Sequence, residues 1–471
     1  MNAGSSPARP ADPPGEVGQA LYEVRRKIYP RSVHGWFALW RWALVWFTQI
    51  LFYGTAWVTW NDRQAVLFDL VARKFYIFGL VLWPQDFIYL TLLLIISALA
   101  LFLFTTAAGR LWCGYACPQT VYTEIFLWIE RMVEGDRVAR MRLDKGANTA
   151  AKVARKAIKH AAWIAVALWT GFTFVGYFTP IRTLAHEVAA WNMGPWESFW
   201  VFFYAFATYG NAGWMREQVC KYMCPYARFQ GAMFDRDTMI ITYDGERGDP
   251  RGSRSRKADH RAEGLGDCVD CGICVQVCPT GIDIRDGLQY ECIGCAACID
   301  GCDQVMDKMG YPRGLIRYST ENAIKGRWSR REVWRHVLRT RTVIYGAILG
   351  AIMLAFAVSL ATRVPLKVDV MRDRGALGRV VEGGIIENVY RLQITNAEEA
   401  AHRYAIGVAG MEVAAGAIAE VPAATTKSFA VRVRVAPGEA QPGSNKITFE
   451  VRAQDDPRIA VREKSVFLVP R

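Results

Sequence analysis

Several common features are missing from this sequence of 471 residues. No Gly-x-Gly-x-x-Gly or Walker-type loop follows a predicted strand, so a nucleotide-binding domain is not expected. The 6 histidines are scattered, and no pair lies at the spacing of haem or metal ligands. A cleavable secretory signal is not expected either, because the first apolar run is too long and no small-residue cleavage site follows it.

Cysteine is absent outside four short motifs, which contain all 12 cysteines and leave none for a disulfide. This usage favours a reducing compartment for the thiol-rich middle of the chain. Two of the motifs read Cys-x2-Cys-x2-Cys-x3-Cys, the spacing that wraps a [4Fe-4S] cluster, and in two-cluster ferredoxins the fourth cysteine of each run ligates the other cluster. The predicted ligand sets are Cys268, Cys271, Cys274 and Cys302 for cluster I, and Cys292, Cys295, Cys298 and Cys278 for cluster II.

A structural zinc site is the alternative reading of these motifs, since Cys-x2-Cys pairs also bind zinc. Zinc needs four tetrahedral ligands and no third cysteine at the same spacing, so the triple repeat favours a cluster. Pro279 after Cys278 continues the ferredoxin pattern, whereas the second run departs from it at Asp303, which follows Cys302.

The other two motifs read Cys-x3-Cys-Pro and each follows a predicted membrane span. Their similar flanks indicate a tandem repeat, and repeats of this kind place sites between their halves. Cysteines at i and i+4 are expected to share one helix face. Four thiolates would suit Cu(I), zinc or iron–sulfur, and Met223 could add a thioether ligand. The alternative is that these cysteines only fill space as small, buried, apolar side chains. The cysteines are Cys113, Cys117, Cys220 and Cys224.

Long apolar runs predict an α-helical bundle of five transmembrane helices, at about 36–60, 86–106, 161–179, 196–214 and 340–362. Arg41 in the first is expected to snorkel to the interface. The apolar stretch Ala65–Trp83 is interrupted by charges, which favours an interfacial or re-entrant helix. The loops rich in Lys and Arg place the N-terminus and the cluster domain in the cytoplasm and the C-terminus outside. The net charge of +13 is then explained by membrane topology and not by nucleic acid.

The last part of the chain alternates apolar and polar residues, as in Phe429–Val435, which predicts an antiparallel sandwich. The fold class is therefore a multidomain membrane protein. Its predicted parts are a flexible tail (1–33), a transmembrane region (34–235), a cytoplasmic ferredoxin-like two-cluster domain with its linkers (236–335), a fifth transmembrane helix (340–362) and a periplasmic all-β immunoglobulin-like sandwich (363–471).

The stretches 283–302 and 305–317, both Cys-x3-Cys-Pro motifs and the terminal sandwich together carry a resemblance to a known family. The chain resembles the cbb3-type cytochrome c oxidase accessory proteins, the CcoG (FixG/RdxA) family. The resemblance implies a bacterial inner-membrane, iron–sulfur cupric reductase that converts Cu(II) to Cu(I) for copper delivery during oxidase assembly. By the family's pattern, the catalytic and copper-binding positions are Cys113, Cys117, Cys220 and Cys224.

The partners that the resemblance implies are the membrane, copper-delivery proteins, the oxidase assembly machinery and an electron donor that the sequence does not identify. Nucleic acid is not expected, and the choice between monomer and homodimer stays open. Two other functions are carried forward. One is a quinol-linked electron-transfer subunit resembling the membrane ferredoxins of nitrate and nitrous oxide respiration, and the other is a non-enzymatic assembly scaffold. The fifth span, the sandwich and the lack of an N-terminal flavin-binding domain favour the oxidase accessory function.

Overall fold

The structure, a computed structural model, describes residues 27–256, 259, 262–373 and 378–470. Most of the predicted flexible tail, residues 1–26, lies outside the described residues, as do parts of the linker at 251–261. Residues 27–33 have no regular secondary structure and contact the segment 136–144. The Ser32 N–H donates to Asp136 at 3.0 Å, and the Tyr29 hydroxyl donates to Asp144 at 2.6 Å. The predicted flexible tail, residues 1–33, is therefore too long, because residues 27–33 are held by these contacts.

The first half of the chain is mainly helical and carries four of the five predicted spans. Helices α6 (Ala150–Val175) and α8 (Pro195–Thr208) approach closely at Gly171, where a Cβ atom would overlap the carbonyl oxygen of Val201. The helices are α1 (Trp36–Gln49), α2 (Phe87–Ala108), α3 (Leu111–Tyr115), α4 (Pro118–Glu134), α5 (Arg137–Lys145), α6 (Ala150–Val175), α7 (Ile181–Ala189), α8 (Pro195–Thr208) and α9 (Pro225–Met233).

Among the described residues, three helical segments are long and apolar enough to cross a membrane: Pro84–Ala108, Ala150–Val175 and Thr340–Ala361. The first predicted span is shorter than expected, because α1 continues as a π-helical turn only to Gly54. The predicted span at 196–214 is α8 followed by the π-helical stretch Tyr209–Met215. The count of five spans and their orientation stay predictions.

Residues Ala65–Trp83 form strands, so the prediction of an interfacial or re-entrant helix is wrong. A hairpin of β1 (Thr59–Trp60) and β2 (Arg63–Gln64) comes first, and the strands of this stretch are β3 (Val66–Asp69), β4 (Lys74–Ile77) and β5 (Leu80–Leu82). Asn61 and Asp62 close the β1–β2 hairpin with φ of 46° and 61°. Both residue types tolerate the left-handed conformation that tight hairpin turns require. The short apolar runs between such turns fit strands as well as a helix, so apolarity alone does not distinguish the two structures.

The cysteine-rich domain is built from short elements. Antiparallel pairing of β6 with β7 brings the two flanks of the domain together, from Ile240 opposite Ser319 to Tyr243 opposite Ile316. The elements are β6 (Ile240–Tyr243), α10 (Gly245–Gly248), α11 (Ile273–Val277), α12 (Ala297–Met309), β7 (Ile316–Ser319), α13 (Glu321–Lys325) and α14 (Arg330–Val337), followed by α15 (Thr340–Ala361).

The C-terminal part is a two-sheet sandwich, as the alternating pattern predicts. One sheet has the order β12-β14-β10-β8 with β9 beside β10, and the other has the order β13-β11-β15-β16. Leu392, Val431 and Phe449 fill the space between the sheets and are fully buried. The strands are β8 (Leu366–Arg372), β9 (Arg379–Val380), β10 (Ile386–Asn396), β11 (His402–Val408), β12 (Glu412–Ala415), β13 (Ile418–Val421), β14 (Thr426–Val435), β15 (Gly443–Ala453) and β16 (Ala460–Val469).

Asp86 joins the sandwich to the helical part. It lies directly before α2, is 7% exposed, and accepts from Arg363 at 2.7 Å and from Lys367 at 2.5 Å. Arg363 follows α15 and Lys367 is in β8. One carboxylate thus holds together the start of α2, the end of α15 and the first strand of the sandwich.

Replacing Asp86 by Asn should destabilise the full-length protein by about 3 kcal/mol, because it leaves the buried Arg363 guanidinium without its counter-charge. The measurement is denaturant unfolding of the purified protein in detergent. Asp62→Asn is the matched control, since Asp62 is exposed in the β1–β2 turn. Equal stability of the two variants would contradict the role assigned to Asp86.

Candidate iron–sulfur and thiol site

The four predicted ligands of cluster I line one small cavity. Cys268, Cys271, Cys274 and Cys302 surround it together with apolar side chains that include Val305. Burial is the main cause that raises the pKa of the Cys302 thiol to about 12, and Cys274, Cys268 and Cys271 add to it through their charges. Thiols that share an apolar pocket and repel one another fit a cationic iron cluster. The structure therefore brings the first predicted ligand set together.

The predicted ligands of cluster II are also neighbours. Burial raises the pKa of the Cys298 thiol well above its usual range, and the nearby charges of Cys295, Cys292 and Cys278 raise it further. Cys295 is buried and lies in an apolar group with Val277. This grouping matches the exchange of the fourth cysteine between the two runs and fits a second cluster.

The two cysteine loops share one backbone geometry, although their sequences differ. In the first loop Asp270 and Gly272 have φ of 49° and 63°, and in the second Gly294 and Ala296 have φ of 70° and 58°. Left-handed residues on both sides of the second cysteine turn the chain around the ligand set. Only glycine adopts this conformation without cost, so Asp270 and Ala296 are held there by the surrounding fold.

The two predicted ligand sets are placed side by side by α11 and α12. Cys298 and Cys302 are one turn apart on α12 and belong to different ligand sets. The helices approach at Gly301, where a Cβ atom would lie 3.0 Å from the Ile273 side chain. A glycine between the two cysteines of α12 therefore allows α11 to pack directly against that helix.

Asp300, also on α12, attaches the cluster domain to α1. Its carboxylate is 5% exposed and accepts from the backbone N–H of Phe37 at 3.2 Å and of Ala38 at 2.7 Å. A carboxylate at a helix N-terminus satisfies otherwise free N–H groups and interacts favourably with the helix dipole. The side chain thus caps α1 in place of a residue of α1 itself.

In both Cys-x3-Cys-Pro motifs the second cysteine precedes a helix that starts with the proline. Cys117 and Cys224 are extended N-cap residues, and Pro118 and Pro225 occupy the first helical position of α4 and α9. Proline suits that position because its missing N–H has no partner there anyway. The i, i+4 spacing predicts that the two cysteines of a motif share one helix face, and this prediction is wrong. They lie across the turn that joins two helices.

The two halves of the repeat pack against each other reciprocally. Thr105 of α2 hydrogen-bonds to the Tyr226 hydroxyl of α9 at 2.6 Å, and the Gln119 amide of α4 donates to the Asn211 carbonyl at 2.9 Å. Burial is the main cause that raises the pKa of Cys220 to about 12, with further contributions from the other three thiols of the two motifs. Thiols that are far apart in the sequence are thus neighbours in the fold.

The first motif also touches the loop of cluster II. Gly114 lies so close that a Cβ atom on it would be 2.8 Å from the carbonyl of Gly294 and 2.9 Å from the Cα of Cys295. Cys113 and Cys220 pack against the apolar group around Cys295. The thiol motifs and cluster II thus meet through direct backbone contact.

Sequence reasoning missed the polar residues that support the thiols. The Gln230 amide lies 3.4 Å from the Cys113 sulfur, and Arg110 donates to the Ala227 carbonyl at 2.7 Å. Arg41 does not reach an interface by snorkelling, because its side chain is buried beside Tyr115 and Cys295. No short-range pattern marks these residues, since their partners come from distant parts of the chain.

A buried ion-pair network behind the second motif was also missed. Glu130 of α4 binds Arg140 at 2.9 Å and Arg216 at 3.0 Å, and Glu134 binds Lys159 at 3.0 Å. Burial raises the pKa of Glu130, but the cations around it hold that pKa below its usual range. The network fixes α4 to α6 and to the segment that leads into Cys220.

Within the residues that the structure describes, no three His, Cys, Asp or Glu side chains lie close enough to hold a single metal ion. The assignment of copper to Cys113, Cys117, Cys220 and Cys224 stays a prediction. The site residues of both clusters are likewise predictions that the geometry accommodates.

Comparison with known proteins decides the family. The chain is 38% identical over 453 residues to the nitrogen fixation protein FixG of Rhizobium meliloti, which covers 90% of this chain and 86% of that protein. Protein RdxA of Cereibacter sphaeroides is 38% identical over 454 residues, 93% of this chain and 96% of that protein, and RdxB of the same organism is 39% identical over 454 residues, 93% and 94%. The chain belongs to the FixG/RdxA family.

Three family models match parts of this FixG/RdxA protein. A 4Fe-4S dicluster domain matches residues 215–321, a 4Fe-4S binding domain matches residues 90–134, and the IG-like fold at the C-terminus of FixG matches residues 356–470. The resemblance stated from the motifs is confirmed. The protein is a membrane-associated iron–sulfur oxidoreductase of electron transport with an immunoglobulin-like C-terminal domain.

The Cys113 thiol of the metal-free protein should react slowly with iodoacetamide at neutral pH and faster as the pH rises. Burial raises its pKa to about 11, against a partial lowering by Gln230. Because the thiolate is the nucleophile, the rate should rise about a hundredfold between pH 7 and pH 9. Peptide mass spectrometry measures the rate at Cys113.

A short unstructured cysteine peptide is the control, because its rate levels off near the ordinary thiol pKa of about 8.5. The variant Gln230→Leu should react still more slowly at each pH, since it loses the amide that lowers the pKa. A rate at Cys113 that follows the free peptide would show that the thiol is not buried in this way.

Proposed function

We propose that this FixG/RdxA protein reduces Cu(II) to Cu(I) at the thiols of its two Cys-x3-Cys-Pro motifs, for copper delivery during assembly of a cbb3-type oxidase. The backbone contact of Gly114 with Gly294 and Cys295 carries the proposal. It places a ligand loop of cluster II directly beside the motif that contains Cys113 and Cys117.

The chemistry needs one electron for each copper ion. When bound, the clusters would supply electrons one at a time, which matches the single electron that converts Cu(II) to Cu(I). Thiolates prefer Cu(I), whereas Cu(II) prefers nitrogen and oxygen ligands, so a thiol environment increases the tendency of the bound ion to accept an electron. The raised pKa values of Cys113 and Cys220 mean that the metal displaces protons when it binds.

The proposed topology puts the thiols and both clusters at the cytoplasmic face. Basic residues are abundant in the segments 109–160 and 215–341, which supports a cytoplasmic location by the positive-inside rule. The interrupted helices that start at Trp36 and Pro195 complete a set of five spans, and the sandwich then lies in the periplasm. On that side it is available to the oxidase assembly machinery.

The double variant Cys113→Ala/Cys117→Ala should lose cupric reduction by at least about tenfold while it keeps about eight iron atoms per chain. Purified, anaerobically reduced protein receives Cu(II), and a Cu(I)-specific chelator and the cluster EPR signal are followed together. Lys221→Gln, a change of a partly exposed residue inside the second motif, is the control and should reduce copper normally. Unchanged reduction in the double variant would exclude these thiols, and about twelve iron atoms in the wild type would assign them to a third cluster.

The route of the electron is tested at the glycine contact. Gly114→Val should slow the reoxidation of the clusters by Cu(II), because its side chain must push the Gly294 loop away from the motif. Iron content and the number of reactive thiols should not change. Gly231→Val is the matched control, since a Cβ atom there would come no closer than 4.0 Å to another side chain, that of Tyr290. Equal rates in both variants would contradict transfer across this contact.

A further inference from the structure

A cavity of about 780 Å³ lies between the N-terminal arm, α1, α4 and the cluster domain. Its lining includes Arg41 and Trp42 of α1 and Trp128 and Arg131 of α4. Pro279, the residue after the cluster II ligand Cys278, forms part of its wall. The volume is that of an ordinary small-molecule site.

Two arginines of the cavity have no direct partner in the described part of the protein. In the described part of the chain, the guanidinium groups of Arg41 and Arg131 form no hydrogen bond and no ion pair. Arg41 is only 7% exposed and its Nε atom is buried without a partner. Glu124 supplies a negative charge to the lining, whereas Arg140 is already matched by Glu130. A buried guanidinium without partners is costly, so an anion is expected to satisfy it.

The surroundings of Arg131 have the same character. Burial lowers the pKa of Arg131, and the nearby charges of Arg140 and Arg41 lower it further, against the opposing effect of Glu124 and Asp136. Asp136 is itself engaged by Ser32. An anion between the two unpaired arginines would remove this repulsion.

The mouth of the cavity is apolar and open. Leu39 and Met132 line it and are each 64% exposed, and the Trp128 ring packs edge-on against Trp42 with centroids 6.3 Å apart. Exposed apolar side chains beside the predicted cytoplasmic end of the first span face the membrane surface. These apolar side chains would gain nothing from a free inorganic anion, whereas they would pack against the acyl chains of a lipid.

We propose that this cavity binds the headgroup of an anionic phospholipid. The phosphate is held by Arg41 and Arg131, because guanidinium groups bind phosphate oxygens in pairs of hydrogen bonds. The acyl chains leave along Leu39, Trp128 and Met132 toward the bilayer. Basic pockets between membrane helices on the cytoplasmic side are suited to such headgroups. One bound lipid would touch α1, α4 and the wall of cluster II together.

The test uses full-length protein, stripped of lipid in detergent, and native mass spectrometry with phosphatidylglycerol. Arg131→Gln should weaken binding at least about tenfold, as expected for the loss of a charge-assisted bidentate pair. Arg155→Gln, which removes an exposed arginine of α6, is the matched control and should bind as the wild type does. Phosphatidylcholine should bind more weakly than phosphatidylglycerol and lose less affinity in Arg131→Gln, because its trimethylammonium group neutralises the charge of its phosphate.

Other outcomes would overturn the proposal. Equal phosphatidylglycerol affinity in the wild type and Arg131→Gln would do so, provided that both keep the same iron content. Binding of inorganic phosphate that depends on Arg131, without binding of phosphatidylglycerol, would identify a free anion as the ligand. Lipid binding that appears only after removal of residues 1–26 would identify that segment of the chain as the occupant.

Discussion

Close packing of two backbones at Gly114 and Gly294 is the constraint on which the rest of the arrangement depends. Any side chain at Gly114 would separate the first thiol motif from the loop that carries Cys295. Asp300 fixes the same relationship from the other side, since it caps α1 from within the helix that carries a ligand of each cluster. These contacts hold the cluster domain against the first thiol motif and α1.

The membrane part supports this contact through duplication. Each half supplies a long helix, a cysteine turn and a following helix, and each following helix packs on the other half. Buried charges such as Glu130 and Arg216 then lock the halves together at one face. A buried charge is costly unless it is fully paired. A network of paired buried charges therefore favours the one arrangement of the helices in which all the pairs form.

Agreement between sequence and structure is uneven for physical reasons. The sandwich was predictable because its core residues, such as Leu392, recur every second position along each strand. The region after α1 was not, because its strands are short and only the turn at Asn61 and Asp62 distinguishes them from a helix. The Cys-x3-Cys-Pro motifs were found by spacing, but their geometry follows from the proline, which starts a new helix at Pro118 and Pro225.

The sequence by itself determined the cysteine spacing, the duplication and the family, because each depends on local spacing or on identity along the chain. Only the tertiary structure decided what surrounds these motifs. Arg41, Gln230 and Asp300 gain their roles from residues far away in the chain. Such contacts leave no periodic or short-range signal, since they arise only when the helices and the cluster domain pack together.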